Sequence, residues 1–148
     1  MQIKIITHPN EKLIEQLTII WENSVRATHS FLTEDNIQYF KNMLPEIFTH
    51  IPHLIVAIDE NNQPLGFMGI NDSEIEMLFI DGKKRGLGIG KKLILFGIDH
   101  YQVSKLTVNE QNPQAIGFYE HLGFTTYQRN ETDDQGQPFP VLKMKLIK

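Results

Sequence analysis

The chain has 148 residues, 41% hydrophobic and 22% charged, with a formal net charge of -4 and a pI near 5.8. That length suits one domain able to bury a core, so residues 1–148 are read as a single domain. The acidic balance argues against broad nucleic-acid binding, the lack of cysteine excludes disulfides, thiolate metal sites and a cysteine nucleophile, and no apolar run approaches the ~18–20 residues of a membrane-spanning helix.

Residues 2–6 read as a first strand rather than a secretory signal, and a cytoplasmic protein is expected. Asn10 is placed to cap a helix whose Leu13, Leu17, Ile20, Trp21 and Val25 follow helical spacing and form one buried stripe. Residues 26–32 break that pattern. Thr33, followed by Glu34 and Asp35, looks like the cap and acidic first turn of a second helix running to about His50, with Pro45 expected to kink or split it. A three-strand meander follows, over His53–Asp59, Leu65–Ile70 and Glu74–Ile80. After a glycine loop, a helix is expected from about Leu87 to Tyr101, with Ile89, Leu93, Phe96 and His100 near one face. Residues 105–108 form another strand. Asn112 and Pro113 open a helix that ends before Gly123. Strands over 124–129 and 140–147, joined by the polar stretch 130–137, close the chain. This order implies an α/β (α+β) domain: a mixed, mostly antiparallel sheet of six to seven strands with helices on both faces.

The chemistry is densest at Arg85-Gly86-Leu87-Gly88-Ile89-Gly90. Alternating glycines between a strand and a helix permit unusual backbone angles and close ligand approach. The unpaired amides and the dipole at the helix start favour an anion. Lys83, Lys84, Arg85, Lys91 and Lys92 add charge of the matching sign. A bound phosphate or pyrophosphate is the simplest reading; a glycine-rich helix start with a solvated basic face is the alternative the loop alone leaves open. A Walker loop does not fit, because Lys91 is followed by Lys92. A dinucleotide fingerprint fits poorly too, because the spacing is Gly-x-Gly-x-Gly, late in an antiparallel meander.

At these residues the sequence resembles the GNAT superfamily of N-acetyltransferases, whose Arg/Gln-x-x-Gly-x-Gly/Ala motif matches Arg85 to Gly90. The resemblance continues through Leu106-Thr107-Val108, Asn112, Ala115, Phe118-Tyr119 and Gly123-Phe124. It spans residues 74–124, and the segment from Trp21 to Leu32 also looks like a subgroup of small bacterial members. It implies acetyl-CoA as co-substrate and a splay between the fourth and fifth strands to admit it; the six histidines show no paired metal-ligand spacing, so no metal is expected. Backbone groups of Leu78, Phe79 and Ile80 would pair with the pantetheine arm. Amides of Arg85, Gly86, Leu87, Gly88, Ile89, Gly90 and Lys91 would hold the pyrophosphate, and Asn112 would bond the pantetheine or the region near the thioester.

Acetyl transfer to an amine needs a proton acceptor for the nucleophile and a donor for the departing thiolate. The resemblance assigns Tyr119 as that donor; on packing grounds alone it reads as a core tyrosine. Glu76, and beside it Glu74, are the base candidates, since a period of two places both on one face of the strand; two solvent-facing strand residues are the other reading. His29 is a third candidate and lies in the acceptor-reading segment, as does Trp21, a core residue able to wall the acceptor pocket. The acceptor is read by residues 21–36 and by the loop 130–140. With no cysteine, direct transfer to a primary amine in a ternary complex is expected, in a monomer or homodimer. A CoA-binding sensor without turnover, and a nucleotide-binding regulator, are the competing readings.

Overall fold

A computed structural model describes residues 1–84 and 86–147, so Arg85, the first residue of the glycine motif, lies outside the described residues. The chain runs β1 (Gln2–Ile6), α1 (Glu11–Thr28), α2 (Glu34–His50), β2 (His53–Ile58), β3 (Pro64–Asn71), β4 (Glu74–Ile80), a short 3-10 turn (Gly82–Lys84), α3 (Ile89–Tyr101), β5 (Lys105–Asn109), α4 (Pro113–His121), β6 (Phe124–Asn130) and β7 (Val141–Leu146). The expected element order is observed throughout.

The first two helices start where their caps dictate. The Asn10 side chain accepts from the Leu13 amide at 2.8 Å. Thr33 and Asn36 form a reciprocal capping box, satisfying two otherwise orphaned donors. α1 runs past the end of its apolar stripe into the segment expected to break it. Arg26 is held there by Glu22 one turn back and by both carboxylate oxygens of Glu34 at 2.8 and 2.9 Å. Pro45 does not split α2. The residues around it, Leu44 and Phe48, are buried, and their packing outweighs the ~3 kcal/mol that an interior proline costs.

α3 starts at Ile89, two residues later than expected, because Gly86 and Gly88 take left-handed φ values of 80° and 78° and keep the preceding chain out of the helix. Its buried side is Ile89, Leu93, Ile94 and Gly97. Phe96 and His100, expected on that side, stack on each other at 3.9 Å, with His100 exposed.

Seven strands form one sheet in the order β1-β2-β3-β4-β5-β7-β6. Every pairing is antiparallel except β4 with β5. One face packs on α3 and α4 through Met68, Ile70, Leu93, Ile94, Leu106 and Met144. The other packs on α1 and α2 through Leu17, Trp21, Leu44, Phe48, Val56 and Phe67. Each such side chain contributes about 1.5–3 kcal/mol on burial. Among the described residues no helix is long and apolar enough to cross a membrane.

Candidate active site

The parallel contact between β4 and β5 covers only Glu74 with Lys105 and Ile75 with Leu106. Beyond it the strands part, and β5 pairs on its other side with β7. The far half of β4, Met77 to Ile80, therefore keeps its β3 partners but offers a backbone edge toward the gap. A cleft of about 440 Å³ opens there. Its walls are Leu78, Phe79 and Ile80 from β4, then Lys84, Gly86, Gly88, Ile89, Gly90 and Lys91 at the start of α3, and Asn112, Phe118 and Tyr119 from α4 and its cap. The left-handed glycines turn the chain so that the first amides of α3, which have no intrahelical acceptor, sit beside this cleft. Lys84 and Lys91 add positive charge. Leu87, expected to help hold the pyrophosphate, is 66% exposed and lines neither cleft.

These residues fit an extended, phosphate-bearing co-substrate. An open strand edge suits the amides of a pantetheine arm, and a helix N-terminus flanked by lysines suits a pyrophosphate. Asn112 lines the cleft, but its side-chain oxygen caps α4 by accepting from the Ala115 amide at 3.3 Å. Its NH₂ group is the part suited to a ligand carbonyl. Tyr119 is buried, and desolvation raises its pKa well above the usual phenol value. The hydroxyl holds its proton throughout the physiological range.

A second cleft, of about 410 Å³, lies on the α1–α2 side of the gap. Trp21, Phe40, Met77, Phe79 and Phe139 give it apolar walls, and Glu76, Asp133 and Asp134 are its acids. Glu76 reaches it through a bulge in β4. Ile75 pairs with Ile70 and Met77 with Gly69, so Glu76 is the extra residue and projects next to Met77 toward the cleft. Its carboxyl is open to solvent along the cleft, yet its pKa is raised. Partial burial is the largest cause; the negative charges of Glu74 and Asp134 add to it, while a hydrogen bond from Asn71 and the charge of Lys143 oppose it. Glu74 shares the strand but lines neither cleft; its Oε1 accepts from the Thr107 hydroxyl at 3.0 Å, tying β4 to β5 where they part.

The two clefts share His29 and Phe79. His29 ends α1, its amide donating to the Val25 carbonyl at 2.7 Å. The Thr28 hydroxyl donates to the Ser24 carbonyl at 2.7 Å, and the His29 Nδ1 lies 2.7 Å from that same hydroxyl. The single hydroxyl proton is committed to Ser24, so Nδ1 carries a proton and donates to Thr28. Trp21 is buried and lines only the second cleft.

Sequence reasoning marked the loop 130–140 but not which of its residues matter. Asp133 shapes the loop: its Oδ1 accepts from the Gln135 and Gln137 amides, both at 2.9 Å, and Gly136 takes φ 77°. The Asp-x-x-Gly spacing was a legible turn signal. Phe139 packs its ring 5.6 Å from Phe31 and 6.2 Å from Phe40, closing the cleft's outer wall. Asn109, at the end of β5, also lines this cleft. No local signal distinguishes it from any other strand-end asparagine. Among the described residues, no three His, Asp or Glu side chains converge as a metal site would need.

Comparison with known proteins points to one family. Residues 26–147 match a family model described as an acetyltransferase (GNAT) domain. Over 133 residues the chain is 38% identical to the peptidyl-lysine N-acetyltransferase YjaB of Escherichia coli, covering 90% of each. The solution structure of apo-form YjaB from the same organism matches with a TM-score of 0.88 at 36% identity, over 99% of both chains. A PaiA N-acetyltransferase from Thermoplasma acidophilum, solved in complex with coenzyme A, shares the fold at a TM-score of 0.69 and 19% identity, over 98% of this chain and 99% of that one.

Proposed function

The chain belongs to the GNAT acetyltransferase family and moves an acetyl group from acetyl-CoA to an amine; on that premise we propose that the acceptor is the side-chain amine of a lysine within a protein, acetylated by direct attack in a ternary complex. The observation that carries this reading is the meeting of the two clefts at His29 and Phe79. One is built for a phosphate-bearing arm and the other for an apolar stem ending in a cation. The name of the relative at 38% identity supports the choice of lysine, as does the aromatic lining, which suits a four-carbon stem.

Roles follow from state and position. A lysine amine has pKa ~10.4, so neutral attack at pH 7 starts roughly 4–5 kcal/mol uphill. Glu76 takes the ammonium proton, directly or through water, and its raised pKa brings it closer to that task. The amine nitrogen then forms a bond to the acetyl carbon as the carbon–sulfur bond breaks. Backbone amides beside β4 supply the donors for the oxyanion. Tyr119, held protonated by burial, donates to the departing sulfur. A second proton leaves nitrogen as the amide forms, and it balances the one delivered to sulfur. Asn112 and the glycine-loop amides hold the co-substrate; His29 and Trp21 shape the acceptor's approach.

The test is thiol release from acetyl-CoA with a panel of lysine peptides and small amines, using the wild type and Tyr119→Phe. The variant is expected to lose about a hundredfold in kcat on the best acceptor. Equal rates would remove Tyr119 from the mechanism, and turnover of small amines with none on peptides would remove protein lysines as the acceptor.

A further inference from the structure

We propose that Thr107 is a positioning residue for acetyl transfer. Its hydroxyl holds Glu74 as a fixed charge across the fork where β4 and β5 part, and this leaves Glu76 as the base. The inference rests on the reading of Glu76 as the base and adds to it how one of two neighbouring carboxylates is selected.

The last residues paired between β4 and β5 are Ile75 and Leu106. Extended by one step, the same register would set Glu76 opposite Thr107, but there the strands have parted and Glu76 sits in the bulge. Ile75 and Leu106 belong to the core on the α3–α4 side. Neighbouring side chains of a strand point to opposite faces, so Glu74 and Thr107 share the other face, where the second cleft opens. Thr107 lines that cleft together with Glu76. Its hydroxyl has one proton and donates it back to Oε1 of Glu74 at 3.0 Å, in a part-buried contact. Glu74 itself lines neither cleft. It is not placed to take a proton from the acceptor, and it acts on the site through its charge.

The bond does two things. A hydroxyl donor favours the ionised form of Glu74. It also keeps the side chain from swinging toward water and toward Lys105, its exposed partner across the ladder. The charge so held raises the proton affinity of Glu76 on the same strand. Asp134 on the β6–β7 loop acts in the same sense, while Lys143 on β7, opposite Thr107, and the Asn71 side chain at the end of β3 act against it. His29 at the end of α1 and Asp133 also line the cleft, and α2 faces it with the apolar Phe40, Met43, Leu44 and Ile47.

The experiment is the pH profile of kcat/KM for the best acceptor of the panel above, with acetyl-CoA saturating. In the wild type the acidic limb marks protonation of Glu76. Glu74→Gln keeps an oxygen for Thr107 but loses the charge, and its limb is expected to move to lower pH by about half a unit or more. Thr107→Val keeps the shape of threonine but frees Glu74; its limb is expected to move the same way by about half as much. Thr107→Ser, which retains the hydroxyl, is expected to keep the wild-type limb. In the double variant Thr107→Val with Glu74→Gln, the limb is expected to coincide with that of Glu74→Gln alone, because Thr107 acts through that charge. Disturbed packing at the fork would lower the rate at every pH and leave the limb in place. A Thr107→Val limb at the wild-type position, equal shifts in the Val and Ser variants, or additive shifts in the double variant would each overturn the proposal. Glu76→Gln separates the two readings. Its residual activity is expected to lose the limb altogether. A limb that persists there defeats Glu76 as the base and this inference with it; a limb that is lost there but unmoved in Thr107→Val defeats this inference alone.

Discussion

The cleft proposed for the cofactor and the cleft proposed for the acceptor meet at two residues but are made differently. The first draws largely on backbone: a strand edge left open by the short β4–β5 pairing, two left-handed glycines, and the free amides of a helix start. The second draws on side chains from α1, α2, β4, β5 and the β6–β7 loop, far apart in sequence. A backbone site tolerates many side chains provided the turn is kept. A side-chain site changes with each substitution, so chemistry and specificity can vary on an unchanged co-substrate platform.

The sharpest way to separate the two clefts is Glu76→Gln. It is expected to lower kcat by about 10²- to 10⁴-fold, with the acetyl-CoA Kd, measured by calorimetry, changed by no more than about twofold, because the residue lies outside the cofactor cleft. Stability moves the other way. Glu76 has a raised pKa in the folded protein, so as pH rises above the ordinary carboxylate value the unfolded chain releases its proton first. Stability falls through that window, and the loss persists at neutral pH. The Gln variant should therefore melt higher than wild type at pH 7 and lose that advantage near pH 4. Wild-type activity falls in turn as pH drops through the raised pKa.

Gly88→Val attacks the other cleft. A β-branched residue at φ 78° is strained by about 1–3 kcal/mol, although a Cβ there meets nothing within 4 Å. The acetyl-CoA Kd is expected to weaken about tenfold while the acceptor KM stays within about twofold. Equal changes in both would mean that the clefts are not separable.

The smallest effect is expected at Glu34→Gln. Glu34 pairs with Arg26 where α1 and α2 meet beside the acceptor cleft, and its pKa is pushed down to about 2, first by the hydrogen bonds from Arg26. Its contribution is present above the unfolded carboxylate value and is lost as pH falls toward 2. The pair is exposed, so the Tm difference from wild type should be slight at pH 7 and vanish in high salt.

The same contrast explains what could be read in advance. The glycine loop was legible as a turn because the left-handed φ values of Gly86 and Gly88 favour glycine. The caps at Asn10 and Thr33, the meander, and the splay after Ile75 followed from local rules and the family resemblance. That α2 continues through Pro45 could not be read locally, because the burial of Leu44 and Phe48 is a tertiary effect. The bulge that turns Glu76 and Met77 toward the cleft together cannot be seen in an alternating strand pattern. Asn109 and Asp134 were not marked as cleft-lining residues because no local signal sets them apart from any other strand-end asparagine or loop aspartate.

The most direct test of the account is an initial-rate grid of CoA thiol release, varying acetyl-CoA against a lysine peptide. Two clefts that meet, in a chain without cysteine, predict double-reciprocal lines that intersect, as both substrates must be bound before the acetyl group moves. Parallel lines, with an acetylated enzyme trapped before the peptide is added, would contradict it.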